Sequence, residues 1–435
     1  MNTLRSARWW LPAFAFWLAA TGWGQLVPSP MAGEMPANGF SAAGKLSNLT
    51  LVTFSSSSVY DDNFSNGASH HQGGGQQYLA ATLGWQQTRR RLQWNLSYRP
   101  GVVVETHSLL GNQFNQVFGT TLELQPSVRW SLKLRQDYAL TADPFDRVDE
   151  APLQPGLGPL DRPNQLPVLP QLRRTASFSG AGVSYRLSRH TTAGLNGSYR
   201  LQSYSDYVST WAAPLINNRA GTGNTYVSRQ ISRRYTAGVE YRVRDLTFPG
   251  YEMRTLTHAV LAFHQFAVTA NSSFVMYVGP EYAGTRGQAF AIRNAPTFSA
   301  SWSPAAGAIY SWSGKRNRVQ AGFSRQVSDG GGLQGPVRLN AGWLRLGRQL
   351  GRRWRAEVNS EVAQQTALPA GGGDHLQMVR AGAGFQRELG RNASLRLSYD
   401  RLYQTGSSVL YRPGNHNRVM LSVEHRFMRP LGRAQ

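Results

Sequence analysis

Basic side chains recur at alternate positions along short amphipathic stretches of this chain: Arg99, Arg129, Lys133, Arg135, Arg200, Arg242, Arg318, Arg338, Arg355, Arg380, Arg396, Arg418 and Arg426. In a strand, successive side chains alternate faces, so each of these shares a face with other polar residues. All but three of the 46 basic residues (Lys45, Lys133 and Lys315) are arginines. A guanidinium offers a planar fork of donors that matches carboxylates, phosphates and sulfates, where an ammonium is a point charge. Five acids share these faces, Glu240, Glu357, Glu361, Asp400 and Glu424. They are outnumbered more than two to one. A wall of this composition suits anionic or sugar-like molecules. The competing reading is that the charges pair among themselves and only stiffen the scaffold.

Catalytic chemistry is poorly supported. No His stands with a Ser and an acid at a spacing that builds a nucleophile and its base. The tandem His70-His71, with Asp61 and Asp62, has the ligand types for a divalent metal, but a solvated polar loop accounts for it better. The glycine runs 73–75, 330–332 and 371–373 fall between strands with no helix to follow, unlike a phosphate loop. With no cysteine there is no disulfide, lipid anchor or thiolate metal site. No cofactor is expected, and the chain is not read as an enzyme.

The elements that must position these residues are strands. The last one, Asn417 to Phe427, places Val419, Leu421, Val423, His425 and Phe427 on one face and Arg418, Met420, Ser422, Glu424 and Arg426 on the other. Val419, Leu421, Val423 and Phe427 resemble the closing strand by which Gram-negative outer-membrane barrels are recognised by their assembly machinery. Leu92, Trp94, Leu96 and Tyr98 alternate in the same way, as do Tyr235 to Val243, Trp354 to Val358 and Leu395 to Tyr399. Turn signals such as Leu187-Ser188-Arg189-His190, Leu350-Gly351-Arg352-Arg353 and Leu389-Gly390-Arg391-Asn392 separate pairs of stretches. Their spacing of roughly 40 residues also suits a propeller blade. Two long strands per repeat, each near the ~9–11 residues that cross a bilayer, favour a barrel instead.

Met1 to Gly24 reads as a secretory signal, with basic Arg5 and Arg8, an apolar stretch to Ala20 and cleavage expected before Gln25. Export makes nucleic acid an unsuitable partner despite the net charge of +23. Residues 25–46 are expected to form a periplasmic linker, 47–427 the barrel and 428–435 a short tail. Residues 139–172 carry seven prolines and five acids, a loop long enough to be a lid, an inward constriction or a surface loop. The fold expected is all-β: a transmembrane antiparallel up-and-down barrel of about 18 strands. A count of 16 is the alternative, because Thr255 to Tyr282 holds no single phase. Pro100-Gly101 and Pro304 should mark bends or a strand end. An aqueous channel is expected at this size.

Val59-Tyr60-Asp61-Asp62-Asn63, the run Leu134-Arg135-Gln136-Asp137-Tyr138 into Asp143-Pro144-Phe145, and the Leu-Ser-Arg turns together resemble the outer-membrane barrels encoded with bacterial exopolysaccharide biosynthesis machinery. The chain is also similar in style to the alginate-exporting barrel. The resemblance implies passage of an anionic or neutral polysaccharide, with outer-membrane lipid and periplasmic export components as partners. It assigns no individual residue. An anion-preferring porin for small solutes, a long-chain hydrophobic transporter and a non-conducting structural barrel stay open beside it.

Overall fold

A computed structural model describes residues 48–63, 73–105, 112–141, 173–205, 217–289, 292–330, 335–368, 375–406 and 414–430. The expected signal segment and linker, His70-His71, residues 142–172 of the proline-rich loop and the last five residues lie outside these.

The described chain is a succession of strands: β1 (Asn48–Asp61), β2 (Gly74–Arg89), β3 (Leu92–Glu105), β4 (Gln113–Leu124), β5 (Trp130–Thr141), β6 (Arg173–Arg186), β7 (Thr191–Ser205), β8 (Asn218–Ser232) and β9 (Tyr235–Phe248). It continues as β10 (Met253–Thr269), β11 (Ser272–Ala289), β12 (Ile292–Ser313), β13 (Asn317–Ser328), β14 (Val337–Gln349), β15 (Trp354–Ala367), β16 (His375–Glu388), β17 (Ala393–Gly406) and β18 (Gly414–Pro430). Each strand pairs antiparallel with the next, and β18 returns to β1 from Leu49↔Pro430 to Asp61↔Arg418. The sheet is therefore a closed 18-stranded barrel, the larger of the two expected counts. β10 and β11 account for the ambiguous region. Leu261, Phe263, Val275 and Tyr277 face inward while Val260, Phe266 and Val278 face outward, so neither face shows a polar phase.

Short turns gather at one end of the barrel, where the Leu-Ser-Arg signals fall. In one of them Ser188 Oγ accepts from the N–H groups of His190 and Thr191 at 3.2 and 3.0 Å. Leu350 and Leu389 close theirs by donating to Trp354 O and Ala393 O at 3.0 and 2.9 Å. The longer connections gather at the other end.

The outward side chains form an apolar band. Leu83, Val239, Val260, Val358, Leu397 and Leu421 are each about half exposed on the protein surface. Aromatic rows border the band on the β9–β12 wall. Tyr235, Phe266 and Phe274 lie toward the short turns; Tyr241, His258, Tyr282 and Trp302 lie toward the long loops. An apolar band between two aromatic girdles is how a barrel meets lipid.

The β18–β1 seam is reinforced where the sequence placed its acidic run. Asp61 accepts from His416 Nδ1 at 3.1 Å, and Asp62 accepts from Asn417 N and Nδ2 at 2.7 and 2.6 Å. Asn63 Nδ2 donates to Asn415 O at 3.3 Å. Val419, Leu421, Val423 and Phe427 face outward as expected. Phe427 packs edge-on against Phe54 of β1 with ring centroids 6.2 Å apart. The strand runs three residues beyond its expected end at Phe427, because Met428 to Pro430 still pair with β1.

Two outcomes are expected. Unboiled protein should migrate faster than boiled protein on a gel, since the closed ladder holds its hydrogen bonds in detergent; equal migration would remove the barrel. Phe427→Ala, which gives up an aromatic pair worth about 0.5–1.5 kcal/mol, should lower the yield of the heat-modifiable form. Trimming after Pro430 should leave that yield unchanged.

Candidate functional site

The inner face of the barrel is where the sequence placed its basic residues, and most of them are there. Lys133, Arg135, Arg200, Arg242 and Arg418 are buried on it. Arg99, Arg355, Arg380, Arg396 and Arg426 share the inward phase of β3, β15, β16, β17 and β18. Arg318 has the inward phase of β13 but sits exposed beside the turn.

Two placements differ from expectation. Arg129 lies in the exposed turn between β4 and β5, where it donates to Tyr185 Oη at 3.5 Å. Arg338 lies on the outward face of β14, in phase with Leu344 and Leu346. The sequence pattern failed there because Val337, Leu339, Ala341 and Trp343, the more apolar set, are the buried inward residues. Apolar-outward is the wrong rule for a stretch whose inner face is also apolar.

The inner charges are paired to a degree the sequence did not suggest. Lys133 meets Glu123 at 3.6 Å, Arg380 meets Asp400 at 3.1 Å and Arg396 meets Glu357 at 3.2 Å. Arg135–Asp137, Arg242–Glu240 and Arg426–Glu424 join residues two apart on one strand, which share a face. Arg396 reaches from β17 to β15 across β16, whose inward positions there are Gly382 and Gly384. A Cβ at Gly382 would meet Asn359 Oδ1 at 2.3 Å and Asp400 Oδ1 at 2.4 Å, so these two side chains occupy the space the glycine leaves. Asp61, Glu123, Asp137, Glu281 and Asp329 were not among the expected inner acids, and with them the twofold excess of base over acid disappears. Arg174 and Arg244 are buried inner bases that the list of thirteen also lacked. Arg244 was readable, being in phase with Arg242. Asp329 carried no signal, because it follows a strand rather than sitting in one.

The wall formed by β8 to β12 is different in kind. Tyr226, Ala259, Leu261, Phe263, Tyr277 and Ala305 form one buried inward cluster. Several inward rings lie over a glycine of the neighbouring strand: Tyr226 over Gly194, Phe263 over Gly238, Tyr277 over Gly307 and Trp343 over Gly322. A Cβ at any of these glycines would come within 2.3–2.4 Å of the ring. Such pairing shields the bare backbone of the glycine and holds the ring against the wall.

The end of β13 enters the interior. Asp329 pairs with Arg200 of β7. Val327 donates its N–H to Glu281 Oε2 of β11 at 3.0 Å, and its carbonyl accepts from Arg244 of β9. None of these strands neighbours β13 in the sheet, and β7 and β9 are far around the ring, so the end of β13 reaches into the lumen. Val327 joins Ala220, Leu246, Phe248, Met253 and Ala283 in a second buried apolar cluster. As for a metal, Asp61 and Asp62 are engaged at the β18–β1 seam.

No family model matches this sequence, and no curated protein matches it. Among solved structures, the chain is similar to OpdQ of Pseudomonas aeruginosa at 9% identity, with a TM-score of 0.44 and coverage of 88% of this chain and 99% of that one. It is similar to OccAB4 of Acinetobacter baumannii at 12% identity and TM-score 0.46, covering 88% and 99%. A third similar structure is Pseudomonas aeruginosa OccK2 (OpdF) in complex with glucuronate, at 11% identity and TM-score 0.43, covering 87% and 98%.

Proposed function

We propose that this chain is an outer-membrane pore for small anionic solutes rather than a conduit for a polysaccharide chain. The observation that carries the reading is the inward end of β13. Tied to β7, β9 and β11 through Arg200, Arg244 and Glu281, it occupies lumen that a threaded polymer would need. Small solutes would pass instead along the basic wall of β15 to β18. There Arg355 makes no ion pair among the described residues, while Arg380, Arg396 and Arg426 pair with Asp400, Glu357 and Glu424. In a low-dielectric tube such a wall sets a positive potential along the path.

The test is the reversal potential across a planar bilayer under a salt gradient. Ionic strength is kept near 0.1 M or below, where the Debye length is ~10 Å or more. Replacing Arg355, Arg396 and Arg426 by Ser should lower anion-over-cation preference severalfold while the protein still shows heat-modifiable migration. Asp329→Asn, which weakens the tie to Arg200, should raise single-channel conductance. An unchanged reversal potential in a conducting triple variant removes the basic wall from the path. A protein that passes no ions, and whose deletion abolishes a secreted polysaccharide, would restore the export reading.

A further inference from the structure

The ladder between β12 and β13 runs from Ser313↔Arg318 to Ala306↔Arg325 and stops there, the shortest among the described residues. The sequence supplies the cause. Ser313 donates its N–H to Asn271 O on the β11 side at 2.9 Å, and Gly314 donates to Asn317 O on the β13 side at 2.8 Å. Alternate residues of a strand bond opposite neighbours, so even-numbered residues of β12 turn their backbone groups toward β13. Pro304 is one of these, and it has no N–H to give. Its partner in a continued register would be Val327, whose N–H and carbonyl go instead to Glu281 and Arg244. From Phe298 to Ala305, β12 pairs only with β11 among the described residues. The barrel wall is parted along this length.

The parting has distinct flanks. On β12, Trp302 is 72% exposed and Phe298 64% exposed, with the Arg286 guanidinium 5.7 Å from the Phe298 ring. Trp302 ends the aromatic row toward the long loops, 5.2 Å from Tyr282, which puts the parting at the boundary between acyl chains and headgroups. On the far flank, Arg325 and Arg338 are diagonal neighbours on the outward face of β13 and β14. Their Nε atoms are buried and make no hydrogen bond among the described residues. Behind the parting stands the apolar cluster around Val327.

We propose that this parting is a lateral binding site for an anionic phospholipid of the surrounding membrane. The forked donors of Arg325 and Arg338 take the headgroup phosphate, a geometry that guanidinium groups match in two parallel bonds. One acyl chain lies between β12 and β13 against the apolar cluster. Buried donors without a partner are rare in folded proteins, and a phosphate supplies the acceptor these two lack. A peptide strand is the other occupant an open edge invites, but Pro304 interrupts the donors such a strand would need.

The full chain is reconstituted in vesicles of phosphatidylcholine and phosphatidylglycerol and extracted in mild detergent, and retained lipid is counted by native mass spectrometry. Wild-type protein should retain phosphatidylglycerol over phosphatidylcholine by about tenfold or more. R325Q/R338Q should retain both equally, and R325K/R338K should keep part of the preference. The chain has no cysteine of its own, so Pro304→Cys with Val327→Cys allows the parting to be zipped by oxidation. Retention should fall on oxidation and return on reduction. Unchanged heat-modifiable migration separates loss of the site from loss of the fold. Equal retention of the two lipids by wild-type protein, retention indifferent to R325Q/R338Q, or a zipped form that holds as much phosphatidylglycerol as the open one would overturn the proposal.

Discussion

Everything in this molecule depends on one requirement: in lipid, each backbone N–H and C=O must find its partner within the protein. Strands meet it only by closing into a ring, and the ring here closes between β18 and β1. That explains why the seam is overdetermined. Asp61, Asp62 and Asn63 add side-chain bonds to β18 at the end of a ladder that is already continuous. It also gives meaning to the early stop of the β12–β13 ladder, the shortest among the described residues. Pro304 cannot donate, so the end of β13 parts from β12 while staying paired with β14, and the backbone of Val327 is satisfied by Glu281 and Arg244 instead. The same covalent fact that parts the wall places an obstruction in the interior.

The inner surface divides into two territories. From β15 to β18, guanidinium groups alternate with carboxylates in cross-strand and same-strand pairs. From β8 to β12, rings and aliphatic side chains form two buried clusters beside a smaller set of charges, Glu240, Arg242, Arg244 and Glu281. An interior built this way has a side that is polar throughout and a side where apolar clusters and charges are mixed. A solute with both characters would meet complementary surfaces at once.

How much of this could be read in the sequence follows from the same division. Strands with a wet inner face and a greasy outer face show clean alternation, and their facing was legible: β3, β5, β9, β17 and β18 carry their arginines where the pattern put them. The closing strand was legible too, apart from the three residues past Phe427 that still pair with β1. Where the inner face is apolar the phase vanishes, as in β10 and β11, or inverts, as at Arg338. The acids were harder. Glu123 and Asp137 sit inward in strands, but their ion pairs depend on register, which one strand alone does not reveal. Asp329 depends on a chain that leaves the sheet, and nothing local announces that. In the motif Val59-Tyr60-Asp61-Asp62-Asn63, the three polar residues latch the ring.

The rings that lie over Gly194, Gly238, Gly307 and Gly322 line the tube from within. Each is held down by the absence of one carbon atom on the strand beside it. Adding that carbon, by a change as small as Gly322→Ala, would stand Trp343 up into the lumen and narrow it without altering a charge. The calibre of this barrel can therefore be retuned one methyl group at a time, independently of its electrostatic character.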